Sequence, residues 1–154
     1  MKKRYYEYIE FVKDVKTIGD KVSNEIDTII GISRGGWTFS HFLAEYLNIR
    51  KLFSISAISY NETEKLKDIK IFGVPNLEQS KKVLIVDDIS DSGRTLKEVV
   101  TKLKFIYPNI KFQTATIFLG KNSIYKPDLY IYKSGEWIEF FWSKDFKNIE
   151  KGKN

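Results

Sequence analysis

Asp87, Asp88 and Asp91 place three carboxylates within five positions of the stretch VLIVDDISDSGRT (83–95). The first two follow four continuous apolar residues, and the third opens a small turn made of Ser92, Gly93, Arg94 and Thr95. Carboxylates suit sugar hydroxyls or a hard cation. The turn suits the opposite charge. Where a helix begins, several backbone N–H groups have no intrahelical partner, and the helix dipole favours an anion. Because carboxylates repel phosphate, the two halves together imply one ligand with two chemically distinct parts, and a phosphorylated sugar has both. Capping by Asp88 or Ser92 would account for one such residue, but not for three acids so closely spaced.

A second candidate phosphate loop, Ser33, Arg34, Gly35 and Gly36, follows the apolar run TIIGI. The glycines permit close approach to the backbone, and Arg34 offers a planar fork of donors matched to phosphate oxygens. Neither G-x-x-x-x-G-K-[ST] nor G-x-G-x-x-G occurs. The chain has no cysteine, which removes disulfides, thiolate nucleophiles and cysteine-bound zinc. Its single histidine, His41, falls in WTFSHFLAEYL and is read as an ordinary helix residue, so histidine-based catalysis is not expected.

These residues need a scaffold, and the apolar pattern supplies one. The chain has 154 residues, 42% hydrophobic and 30% charged, which fits a single globular domain over 1–154. TIIGIS (28–33), KLFSISAISY (51–60) and KKVLIVDD (81–88) read as strands. KFQTATIFL (111–119) and LYIYKSGEWIEFFW (129–142) read as further strands. Tyr5, Tyr8, Ile9, Val12 and Val15 predict an opening amphipathic helix, Phe39 to Leu47 a second, and Leu96 to Ile106 a third that Pro108 ends. Strands alternating with helices predict an α/β fold, an open and mostly parallel sheet covered on both faces. Residues 61–81 are polar, weakly periodic and interrupted by Gly73 and Pro75, so a long loop or β-ribbon is expected there. Residues 143–154 are expected as a basic, frayed C-terminal tail. No apolar run is long enough to span a bilayer, and acids interrupt the N-terminal segment, so neither a membrane anchor nor a signal peptide is expected and a cytoplasmic location is. The formal net charge of +6 suits anionic ligands.

Residues 83–95 resemble the phosphoribosyl-pyrophosphate (PRPP) motif of the type I phosphoribosyltransferases: four apolar residues, two acids, two variable positions, Asp-Ser-Gly and a following Thr. SRGG at 33–36 resembles that family's pyrophosphate loop. TIFLGK (116–121), the Trp137–Ile138 pair and the Ser59–Tyr60 pair at the start of the polar segment resemble the xanthine-guanine/hypoxanthine branch. Phe141 stands where that branch carries a proline.

The resemblance implies the type I phosphoribosyltransferase fold with a small hood, and a mobile active-site loop over 61–78 that begins after Ser59 and Tyr60. It implies transfer of ribose 5-phosphate from PRPP to a purine base, giving a nucleoside monophosphate and pyrophosphate. Asp87 and Asp88 would hold the ribose hydroxyls and Mg2+, directly or through water. Asp91 would stabilise the ribosyl cation or accept a purine proton. Ser92, Gly93, Arg94 and Thr95 would cradle the 5′-phosphate, and Ser33, Arg34, Gly35 and Gly36 the pyrophosphate. Lys121 would donate to a purine 6-oxo group, Trp137 would stack on the ring, and the Ile138 backbone would read the base edge. It further implies a homo-oligomer, dimer or tetramer; from the sequence itself no membrane partner is expected, and no nucleic-acid partner either, since no helix concentrates arginine and lysine on one face. A regulator on the same fold that senses PRPP or a nucleotide, and an enzyme for adenine or another base, remain alternatives at this point.

Overall fold

The computed structural model describes residues 1–60 and 68–151. The chain opens with β1 (Lys3–Tyr6) and α1 (Tyr8–Gly19), then β2 (Thr28–Ser33), α2 (Gly35–Leu47) and β3 (Lys51–Tyr60). It continues through β4 (Asp68–Phe72), β5 (Lys82–Val86), β6 (Ile89–Ser90) and α3 (Arg94–Ile106). β7 (Lys111–Ala115), β8 (Phe118–Gly120), β9 (Tyr132–Ser134), β10 (Trp137–Phe140) and α4 (Phe141–Lys151) complete it.

The principal sheet has the order β4-β3-β2-β5-β7. Its strands run parallel except β4, which is antiparallel to β3 and pairs Tyr60 with Asp68. β2 and β5 occupy the middle and are buried along nearly their whole length, with apolar cores IIGI and VLIV, because both faces are covered. On one face α1 and α2 bury Phe11, Val15, Ile18, Phe39 and Leu43 against Ile29, Leu84 and Val86. On the other, α3 buries Leu96, Val99, Val100 and Leu103 against Ile30, Ile55, Val83 and Ile85. The expected α/β architecture with helices on both faces is the observed one. Among the described residues no helix is long and apolar enough to cross a membrane.

Two small sheets stand beyond the carboxyl ends of β2 and β5 and form the hood: the parallel pair β1-β10, and β6-β8-β9. Here the structure departs from the sequence reading. The run expected as one strand over 111–119 is two, in different sheets. After Ala115 the N–H groups of Ile117 and Phe118 both donate to Asp88 O, at 3.0 and 3.1 Å, which carries the chain out of the large sheet. Residues 129–142 likewise divide into β9 and β10, and α4 begins at Phe141. The expected C-terminal tail is therefore helical as far as Lys151.

The opening segment is also different. Tyr5 lies in β1, and Tyr8, Ile9 and Val12 are exposed on α1, whose buried face is Phe11, Asp14, Val15 and Ile18. A carboxylate on the inner face broke the apolar pattern and drew the stripe onto the wrong side. Within the segment expected as a mobile loop, 61–67 lie outside the described residues, 68–72 are β4, and Leu77 is fully buried in the core beneath α3.

Candidate active site

β5 delivers Asp87 and Asp88 to the carboxyl edge of the sheet, the end at which ligands bind in open α/β folds. Asp87 is buried, its N–H bonded to Ala115 O at 3.1 Å and its Oδ1 accepting from the Asp88 N–H at 3.0 Å. Burial, and then the neighbouring Asp88 charge, push its carboxyl well above the usual range. Asp88 accepts from the Ile89 N–H at 2.8 Å, and burial raises its pKa to about 6 although that hydrogen bond restrains it. The pair thus gains one ionised carboxylate, a requirement of hydroxyl or cation binding, as pH rises through about 6.

The Ser33–Gly36 loop lies directly on this pair. A Cβ at Gly36 would sit 2.5 Å from Val86 O and 2.7 Å from Asp87 Cα, and one at Gly35 would sit 2.3 Å from Asp88 Oδ2. The two glycines are therefore what lets the start of α2 rest against the end of β5. Arg34 is exposed at the mouth of this loop, after a cis peptide bond to Ser33.

The turn after β6 reaches α3 through Gly93, whose φ of +77 lies in the left-handed region, with its Cβ position occupied by Ser123 Oγ at 2.4 Å. Ser92 Oγ accepts from the Arg94 N–H at 3.4 Å, and Ser92 O from the Ile124 N–H at 2.9 Å, so the turn is fastened to the 121–125 segment. Thr95 sits half-buried in the first turn of α3.

A cavity of about 640 Å³ adjoins the turn, lined by Asp91, Ser92, Lys121, Trp137 and Ile138 among others. Lys121 follows β8 and its N–H donates to Ser134 O at 3.0 Å. Trp137 is 57% exposed, which makes it a wall rather than core packing, while Ile138 is buried. The structure thus brings together Asp91 and Ser92 from one motif with all three residues singled out around residues 121 and 137–138. Ser59 and Tyr60 end β3, opposite Ile69 and Asp68.

Sequence reasoning missed several wall residues, including Ile89, Asn122, Ser134 and Glu136. It also missed Gly120, where a Cβ would lie 2.3 Å from Asp91 O. A glycine inside the apolar run TIFLG was the available signal, since strand glycines mark close backbone approach.

A family model described as a phosphoribosyl transferase domain matches residues 3–147. The xanthine-guanine phosphoribosyltransferase of Idiomarina loihiensis is 30% identical over 125 residues, covering 79% of this chain and 74% of that protein. The protein of the same name from Cereibacter sphaeroides is 32% identical over 127 residues, covering 79% and 72%. Among solved structures, the xanthine-guanine-hypoxanthine phosphoribosyltransferase of Helicobacter pylori superimposes with a TM-score of 0.90 at 33% identity, covering 97% of this chain and 99% of that one.

Proposed function

The chain belongs to the phosphoribosyl transferase family, and from that membership we propose that it is a purine phosphoribosyltransferase that transfers ribose 5-phosphate from PRPP to a 6-oxopurine. The observation that carries the choice of base is the single cavity in which Lys121, Trp137 and Ile138 meet Asp91 and Ser92. A flat ring fits against the Trp137 face, and the Lys121 ammonium, a donor with no acceptor capacity, selects a 6-oxo over a 6-amino group. Relatives at 30 and 32% identity named for xanthine and guanine support the same reading.

In the reaction a ring nitrogen of the base forms a bond to C1′ of PRPP while the C1′–O bond to pyrophosphate breaks, the electron pair leaving with the pyrophosphate oxygen. Positive charge builds on the ribose as that bond opens, and Asp91 at the cavity edge supplies a carboxylate for it. The proton of the purine ring nitrogen passes to Asp91 or to water. Asp88 and Asp87 hold the ribose hydroxyls, the N–H groups and hydroxyls of Ser92–Thr95 hold the 5′-phosphate, and Arg34 with the backbone of Gly35 and Gly36 holds the departing pyrophosphate.

Among the described residues no three metal-ligating side chains come together in a group that could hold a cation unaided. Two adjoining carboxylates do fit magnesium, which keeps waters and borrows phosphate oxygens from its substrate. Asp87 and Asp88 are the residues that would hold it, directly or through water, and its contribution would be to neutralise pyrophosphate charge.

Turnover measured with PRPP, magnesium and a panel of adenine, hypoxanthine, guanine, xanthine and uracil tests the reading. Pyrophosphate release with a 6-oxopurine and little with adenine is the expected result. Turnover preferring adenine or uracil would overturn the assignment of the base, and binding of PRPP without turnover of any base would favour a regulator.

A further inference from the structure

The two halves of the base cavity belong to two different sheets. Trp137 and Ile138 are carried by β10, whose partner is β1, with Lys3 opposite Trp137 and Arg4 opposite Ile138. Lys121 follows β8, which pairs with β9. Between β9 and β10 the chain itself joins the two sheets only by the Gly135–Glu136 turn. Their inner surfaces meet through aromatic rings, Phe118 of β8 edge-on to Tyr6 of β1 at 5.1 Å and to Phe140 of β10 at 5.8 Å. The Lys121 N–H bond to Ser134 O at 3.0 Å holds Lys121 to β9, so the way β9 lies against β10 decides how far Lys121 stands from Trp137.

Asp14 joins the two sheets. Its carboxylate, on the buried face of α1, accepts from the Tyr6 hydroxyl at 2.6 Å and from the Tyr132 hydroxyl at 3.2 Å. Tyr6 ends β1 and Tyr132 begins β9, so one carboxylate grips both sheets. Arg4 reinforces the junction: it pairs with Glu10, and its guanidinium lies 4.4 Å from the centre of the Tyr132 ring. A buried carboxylate is expensive unless hydrogen-bonded, which explains why both of its oxygens are engaged.

We propose that Asp14 is a positioning residue for base recognition, setting the separation of Lys121 from Trp137 by bridging Tyr6 and Tyr132. The proposal rests on the cavity being a purine site, but the bridge itself can be read without any purine.

The test uses Tyr6→Phe, Tyr132→Phe and their combination, with Thr28→Val as a control that removes a buried hydroxyl bonded to Ser80 at 2.7 Å far from the hood. Each tyrosine variant should raise the KM of the base roughly fivefold, the equivalent of one lost hydrogen bond, and leave the KM of PRPP within about twofold. Because either loss opens the same bridge, the double variant should be no worse than the worse single one, whereas independent local effects would multiply. Asp14→Ala should match the double variant, and Asp14→Asn, able to accept from one hydroxyl and donate to the other, should recover part of the loss. In the free protein, amide exchange at Lys121 and Trp137 should quicken together in either single variant and stay unchanged in the control. That result would stand even if no base were turned over, separating failure of the bridge from failure of the purine reading. Base and PRPP constants that rise together, multiplicative effects, or exchange that quickens only beside the altered tyrosine would overturn the proposal.

Discussion

Asp88 keeps its proton to about pH 6 because burial withholds water from its carboxylate, and burial together with the like charge of Asp88 raises Asp87 well above the usual carboxylate range. In the unfolded chain both would ionise near ~3.9. Between those values the folded state holds protons that the unfolded state has lost, so stability falls as pH rises from about 4 through about 6. Ligand binding runs the other way, since ribose hydroxyls and a cation both need an ionised Asp88. The kcat/KM for PRPP should therefore climb as pH rises to about 6 and level off above it, which a rate profile over about pH 5–8 would reveal. Asp88→Asn should abolish that climb along with most activity. It should also stabilise the fold at neutral pH by on the order of 1–3 kcal/mol in a denaturant titration, because it removes a charge the fold is penalised for burying. Across the cavity, Lys121→Gln should narrow the preference for hypoxanthine over adenine, expected to be at least ~10²-fold in the native protein, since an amide can turn its oxygen to an amino group. Trp137→Ala should weaken all purines alike by ~1–3 kcal/mol, stacking being indifferent to the base edge.

Elements meet at the site through backbone rather than side chains, and glycine is what permits it. Gly36 lets the first turn of α2 approach Val86 O and Asp87 Cα to a distance no Cβ tolerates, so Gly36→Ala must part α2 from β5. A destabilisation of about 1–3 kcal/mol is expected, with PRPP affinity falling further than base affinity, as equilibrium binding of each ligand would check. Gly135→Ala is the counterpart: its Cβ would find only Lys121 Cδ at 3.9 Å, and should leave stability within ~0.5 kcal/mol. Phe141 shows how an element absorbs a departure from the family pattern. Where the related branch has a proline, Phe141 starts α4 and packs on Tyr8 and Phe11 at 5.5 Å, tying the C-terminal helix to α1.

The whole molecule carries a formal charge of +6, and its candidate ligand is a polyanion. Long-range attraction of that kind acts on encounter and is screened by salt, with a Debye length of ~10 Å at 0.1 M. The kcat/KM for PRPP should fall several-fold between about 0.05 and 0.5 M salt, while that for an uncharged base at saturating PRPP changes little. Equal sensitivity of the two in steady-state kinetics would count against electrostatic capture of PRPP.

The central strands, the helices α2 and α3 and the placing of the glycine and acid motifs just after β2 and β5 were legible in the chain itself. Continuous β-branched runs have no other comfortable place than a covered sheet, and glycines beside acids mark where backbone and ligand crowd. The hood was not legible. Residues 111–119 read as one continuous strand, and nothing local reveals that Asp88 O captures the Ile117 and Phe118 N–H groups and sends the chain into another sheet. Nor could periodicity place Asp14 on an inner face, because its two partners, Tyr6 and Tyr132, lie 8 and 118 residues away. Local pattern records what each residue prefers to touch; which of two sheets it joins, and which distant hydroxyl finds a buried carboxylate, depends on hydrogen bonds formed only after the chain has closed on itself.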